Sequence, residues 1–237
     1  MKPLKAILFD LDGTLLDYDM TRELLPRYFE RLTAYAAHLL PPRTLVAAIN
    51  RGSEAILAND GTRVNADVFA EAFYPLVGIE REIMEPLFMD FYSNDFPNLR
   101  EYANPRPEAR RVIQAAFDAG YAVVIATNPF FPAIATQERL RWANAADFPY
   151  RKVTSYENSH AAKPNPQYYQ EILDELGCLP EEALMVGDEA GDMAAGLLGC
   201  RTFLVTSSAT DLQAITPPPT YQGTLADLEN QLRSGNL

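Results

Sequence analysis

Six side chains able to do chemistry stand just past short apolar runs. Asp10 and Asp12 follow residues 6–9 (Ala-Ile-Leu-Phe), Thr127 and Asn128 follow residues 121–126 (Tyr-Ala-Val-Val-Ile-Ala), and Asp188 follows residues 183–186 (Ala-Leu-Met-Val). Lys163 comes one loop after a weaker run at 152–156. Three carboxylates gathered in one place repel one another and hold on to protons unless a cation lies between them. Oxygen ligands with open positions suit Mg²⁺. A phosphate bound there would meet the metal on one side and Lys163 on the other. A carboxylate in line with phosphorus can then attack it to form an aspartyl-phosphate. Such transfer depends on positioning and charge neutralisation, which this set supplies.

The apolar runs, with a further one at 202–205, are four to six residues long and do not alternate, as expected of strands covered on both faces. Helical patterns lie between and after them, at 107–119, 132–145, 166–176, 192–198 and 225–232, with Gly120 and Gly177 placed as C-caps. Strand–helix alternation of this kind predicts a parallel sheet with helices on both faces. Residues just past the carboxyl ends of such strands share one crevice, so the wide separation of the six side chains does not keep them apart. Residues 18–99 break the pattern. They hold four amphipathic helical stretches (21–40, 43–58, 66–73 and 79–92) separated by Pro41-Pro42, Asn59-Asp60-Gly61 and loops such as Pro97-Asn98. The fold class expected is α/β, with a parallel-sheet core built from 1–17 and 100–237 and an all-helical domain inserted at 18–99. Pro217-Pro218-Pro219 reads as a stiff connector to the last helix.

At this point the chain resembles a known family. Asp10-Leu11-Asp12-Gly13-Thr14-Leu15 is similar to the first motif of the haloacid dehalogenase superfamily, Thr127-Asn128 to its second, and Lys163-Pro164 to its third. Gly187-Asp188 with Asp192 is similar to its fourth. Thr-Asn or Lys-Pro alone would carry no weight; four motifs in order and in strand context do. The resemblance implies a Rossmann-like core and a helical cap inserted after the first motif. It implies Asp10 as nucleophile and metal ligand, and Asp12 as general acid then base, with its main-chain carbonyl also on the metal. Asp188 would be a further Mg²⁺ ligand, and Asp192 would act from behind the ligands or contact Lys163. Thr127, Asn128 and Lys163 would bind the phosphate. The family's dehalogenases lack both the second aspartate and the metal, so Asp12 with Asp188 favours phosphoryl transfer.

The expected activity is hydrolysis of a small phosphorylated metabolite. A sugar phosphomutase and a silent binding or regulatory module of the same fold are the alternatives. A receiver-type phospho-acceptor is excluded, being about half this length and lacking the insert. The chain has 237 residues, 48% of them hydrophobic and 22% charged, and a net charge of −12. Nonspecific nucleic-acid or anionic-membrane binding is therefore not expected, since both need a basic face. No signal-peptide core follows the first five residues, and no run approaches the roughly 18 apolar residues needed to span a bilayer. The expectation is a cytoplasmic monomer or homodimer in which Cys178 and Cys200 are reduced core thiols. Asp192 also fits as an acid at a helix N-terminus. His160, just ahead of Lys163, is a candidate substrate contact, whereas His38 reads as structural or solvated. Arg22, Arg51 and Arg63 are cap cations that could meet an anion or simply face water. The aromatic residues of the insert, Tyr18 among them, read as its core.

Overall fold

The computed structural model of the protein describes residues 2–207 and 210–237. Its centre is a parallel sheet of β1 (Ala6–Phe9), β4 (Ala122–Ile125), β5 (Lys152–Val153), β6 (Ala183–Gly187), β7 (Arg201–Val205) and β8 (Tyr221–Gly223), in the spatial order β5-β4-β1-β6-β7-β8. β1 runs in register with both neighbours, Ala6 lying between Ala122 and Ala183. From β1 the chain builds outward on one side through β4 and β5, then crosses to β6 and builds the other side. The direction of winding thus reverses between β1 and β6, where an open α/β sheet forms its crevice.

Both faces of the sheet are covered, which explains the unbroken apolar runs. Ile7, Phe9, Val123, Ile125, Leu184 and Val186 pack on one face with α5 (Ala109–Asp118), α6 (Ala133–Trp142) and α9 (Leu225–Ser234). Leu8, Val124 and Met185 pack on the other with α7 (Pro166–Leu176) and the short α8 (Ala190–Met193) region. Local chemistry sets the ends of α7. The Asn165 side chain accepts from the Gln167 amide, Pro166 occupies the first turn, and Gly177 closes the helix at φ +63°.

Between β1 and α5 the chain forms α1 (Leu25–Tyr35), α2 (Pro42–Leu57), α3 (Asn65–Val77) and α4 (Arg81–Asn94), then a 3-10 segment at Phe96–Tyr102. Among the described residues no strand lies between the start of α1 and the end of the 3-10 segment. The stretch is entered and left through a small antiparallel ribbon, β2 (Leu16–Asp17) against β3 (Asn104–Pro105). Arg106 ties the ribbon down by donating to the Gly13 carbonyl (Nη2–O 2.9 Å) and pairing with Asp17 (3.0 Å). The helices then pack on the sheet domain. The Phe96 ring stacks on Trp142 with centroids 5.2 Å apart, and Tyr28 meets Phe131 edge-on at 5.3 Å. The Asn65 amide donates to the Ser159 carbonyl at 2.8 Å.

Several boundaries differ from expectation for identifiable reasons. The first helix of the insert stops at Tyr35 rather than 40: Ala36 leaves helical geometry at φ −89°, ψ 2°, and Leu40, which precedes proline, is disfavoured as helical. A π-helical turn at Met20–Leu24, capped by the Asp19 carboxylate, precedes it. The weak strand ends at Val153, since the Thr154 hydroxyl donates to the Thr127 carbonyl (2.6 Å) and the Ser155 amide to the Asn158 side chain (2.8 Å). β8 was not expected. Cys200 is buried and Cys178 half-buried, both as free thiols. Among the described residues no helix is long and apolar enough to cross a membrane.

Candidate active site

Asp10 leaves the end of β1, where its amide donates to the Val186 carbonyl on β6 (2.8 Å). The loop turns at once: the Leu15 and Leu16 amides return to the Leu11 carbonyl (2.9 and 3.0 Å), with Gly13 at φ +84°. Glycine is needed there twice over, since that conformation is strained for other residues and a Cβ would lie 2.4 Å from Asp188 Oδ2. Thr14 donates its hydroxyl to Asp188 Oδ1 (2.9 Å). Gly187 permits a second close approach, a Cβ there falling 2.1 Å from the Asp192 carboxyl carbon.

Carboxylate oxygens of Asp10, Asp188 and Asp192 all lie within 4.8 Å of one another. Lys163, wholly buried, donates to Asp10 Oδ1 (2.7 Å) and Asp192 Oδ1 (2.5 Å). Burial raises the Asp10 carboxyl to about 8, with Asp192 and Asp12 adding to the effect against Lys163. Burial likewise lifts Asp188 to about 7 and Asp192 to about 6. Burial alone would lower the Lys163 pKa, but the two carboxylates win and push it well above its usual value. One ammonium does not balance three carboxylates of which two are buried and one half-buried, and this donor set is what a hard divalent cation satisfies.

Asp12 points elsewhere. Its carboxylate lies outside that cluster and accepts from Tyr18 and Arg139, and from the Thr127 hydroxyl at 3.2 Å. Arg139 reaches in from α6 with 1% of its surface exposed, donates to Thr136 Oγ1 (3.1 Å), and lies 4.7 Å over the Phe131 ring. Burial and the charge on Asp12 raise the Tyr18 pKa well above normal, so its hydroxyl stays a donor. Neither residue was singled out for this site: Tyr18 was expected in the helical core, and Arg139 lies in a helix whose polar residues gave no signal. Buried arginine is rare unless paired, but burial is not visible in a sequence.

Asp10, Asp12, Thr127, Asn128 and Arg139 open onto a cavity of about 440 Å³ between the sheet and α1–α4. Asn128 Oδ1 and Arg139 Nε are buried there with no partner. Thr127 is held by its own carbonyl, which accepts from Thr154 and Tyr168. His160 does not line the cavity and faces Glu171 (3.3 Å). The three cap arginines do not line it either. Arg22, Arg51 and Arg63 are exposed, near or paired with Asp19, Glu54 and Glu71 at 3.6, 3.1 and 2.6 Å.

The model of the haloacid dehalogenase-like hydrolases matches residues 4–210. A phosphoglycolate phosphatase of Vibrio vulnificus is 25% identical over 207 residues, covering 86% of this chain and 84% of its own. A pyrophosphatase of Bacillus cereus is 27% identical over 81% of this chain and 78% of its own. The crystal structure of a phosphatase from Thermococcus onnurineus superposes with a TM-score of 0.59 at 21% identity, over 97% of this chain and 98% of that one. With four motifs at the carboxyl ends of one parallel sheet and a match over most of its length, the chain belongs to the haloacid dehalogenase-like hydrolases.

Proposed function

We propose that the protein is a Mg²⁺-dependent phosphatase that hydrolyses a small phosphomonoester through an aspartyl-phosphate on Asp10. The observation that carries this reading is the placement of Asp10 between Lys163 and Asp188, with Asp12 on the cavity side. The name of one relative, a phosphoglycolate phosphatase, supports it, and that of another, a pyrophosphatase, supports hydrolysis at phosphorus without the ester.

Asp10 and Asp188, with the main-chain carbonyl of Asp12, would hold the metal, and Asp192 would keep Lys163 in place behind them. When bound, Mg²⁺ supplies the positive charge that keeps these carboxylates ionised and offsets the charge of the phosphate. Thr127, Asn128 and Lys163 bind phosphate oxygens. An Asp10 carboxylate oxygen forms a bond to phosphorus as the ester oxygen departs, taking its proton from Asp12. Asp12, now a carboxylate, removes a proton from water, which attacks the aspartyl-phosphate and releases phosphate and free Asp10. Tyr18 and Arg139 fix the direction of the Asp12 carboxylate. Residues 18–99 act as a cap, excluding bulk water while closed and releasing product on opening.

Asp10→Asn tests the reading. Wild type should release phosphate from an aryl phosphate only with Mg²⁺, and the variant should release none while keeping its fold by circular dichroism. Substantial residual turnover would remove Asp10 from the role of nucleophile.

A further inference from the structure

Most of the cavity wall is apolar, and the one cation among its described lining residues, Arg139, is already paired with Asp12. On the cap side stand Tyr28, Phe29, Ile49, Phe69 and Phe88, and on the sheet side Phe130 and Phe131. The charged lining residues are Asp10, Asp12, Glu189 and Arg139. Of Arg139, one terminal nitrogen donates to Asp12 and the other to Thr136, and one face of its guanidinium lies over Phe131. Some of its N–H groups are still free, Nε among them, but its positive charge is already offset by the Asp12 carboxylate. Glu189, exposed at the rim, adds a further negative charge. The cap arginines that could have met a second anion turn outward to their own acidic partners. Apart from the neutral donors of Thr21, Asn50 and Ser53, a second anionic group on the substrate would therefore meet a largely apolar wall with no unpaired cation among its described residues. An apolar leaving group would bury against aromatic rings. The volume of about 440 Å³ lies within the range of small-ligand sites, roughly 300–1,000 Å³.

We propose that the enzyme selects phosphomonoesters of uncharged, largely apolar alcohols and discriminates against esters whose alcohol carries a carboxylate or a second phosphate. This rests on the phosphatase reading above and goes beyond it by naming the substrate class.

Two esters of equal shape test it: 4-methylphenyl phosphate and 4-carboxyphenyl phosphate. The carboxylated phenol is the better leaving group, so intrinsic reactivity opposes the expected result. With Mg²⁺ present, kcat/KM should favour the methyl ester at least tenfold. Leu57 lines the cavity at the end of α2 with 56% of its surface exposed, so an arginine fits there without entering the core. Leu57→Arg should raise kcat/KM for the carboxylated ester severalfold and leave the methyl ester no better. Equal or reversed preference in the wild type overturns the proposal. Calorimetric binding of both esters to the Asp10→Asn protein separates this inference from the reading beneath it. If wild type hydrolyses neither ester but the variant still binds the methyl ester more tightly, the phosphatase reading falls and the selectivity stands. If binding favours the carboxylate, the selectivity falls.

Discussion

Arg139→Met removes the cation that holds Asp12 while keeping an apolar stem over Phe131. Arg139 is 1% exposed, and the Asp12 side chain it binds is 13% exposed. Deleting one member of a buried ion pair leaves the other uncompensated, which costs about 3–5 kcal/mol. Asp12 keeps the Tyr18 and Thr127 hydroxyls and some solvent contact, so the loss belongs at the lower end, about 3 kcal/mol. For a chain of this size each kcal/mol moves the melting temperature by about 2–4 °C, giving a fall of about 6–12 °C. Asp12→Asn should cost a comparable amount by stranding the guanidinium. The double variant carries neither charge and should melt above the sum of the two losses, with a coupling of about 2 kcal/mol. Calorimetric melts of the four proteins measure this directly. A melting temperature for Arg139→Met within about 2 °C of wild type, or additive losses in the double variant, would refute the pairing. Turnover by Arg139→Met should fall by about tenfold or more, mainly in kcat, because general acid–base contributions of about 10²–10⁴ depend on where the proton donor points.

Two further outcomes follow from the same site. Asp10 and Asp188 titrate near 8 and 7 in the folded protein against 3.8 ordinarily, so between those limits the metal-free fold binds protons that the unfolded chain has released. Stability is then fullest below the ordinary carboxylate range and is lost as pH rises through 7 to 8. The melting temperature of chelator-treated protein should fall from pH 6 to pH 8.5. Mg²⁺ at one fixed concentration, about 100 times its Kd at pH 8.5, should restore about 2.7 kcal/mol there, on the order of 5–10 °C, and less at pH 6, where bound protons compete for the same carboxylates; a gain independent of pH would contradict the carboxylate cluster as its site. Gly187→Ala drives a methyl group to 2.1 Å from the Asp192 carboxyl carbon, so Asp192 must move away from Lys163. A stability loss of about 1–3 kcal/mol with near-complete loss of aryl phosphate hydrolysis is expected, and a fully active variant would show that Asp192 is not needed where it stands.

Much of the sheet domain was legible because its strands are buried on both faces and closed by polar residues at fixed places. β1 and α7 end where their apolar runs and glycine or proline punctuation end. β8 has no signature in the sequence, because Tyr221, Gln222 and Gly223 are three half-exposed or exposed edge residues paired on one side only, a pattern that local sequence does not distinguish from a loop. The meeting of Asp10, Asp188 and Lys163 followed from strand ends converging, whereas Asp192 entered only through the family resemblance. The turn of the Asp12 carboxylate away from that group did not, since it depends on Tyr18 and Arg139, 6 and 127 positions away. Only tertiary contact relates an arginine of α6 to the first strand. The outward pairing of Arg22, Arg51 and Arg63 was equally hidden, because each acidic partner is only one of several acids in reach along the chain.

The β2–β3 ribbon has an evolutionary consequence. It brings both chain crossings to one spot, with Leu16 opposite Pro105 and Asp17 opposite Asn104. Whatever lies between them can be lengthened, shortened or exchanged for another helical block without rerouting a single strand. Substitutions in α1–α4 can therefore accumulate and reshape the cavity wall while the strand-end residues on the sheet stay where they are. A scaffold joined at one narrow gate diversifies through the block beyond it.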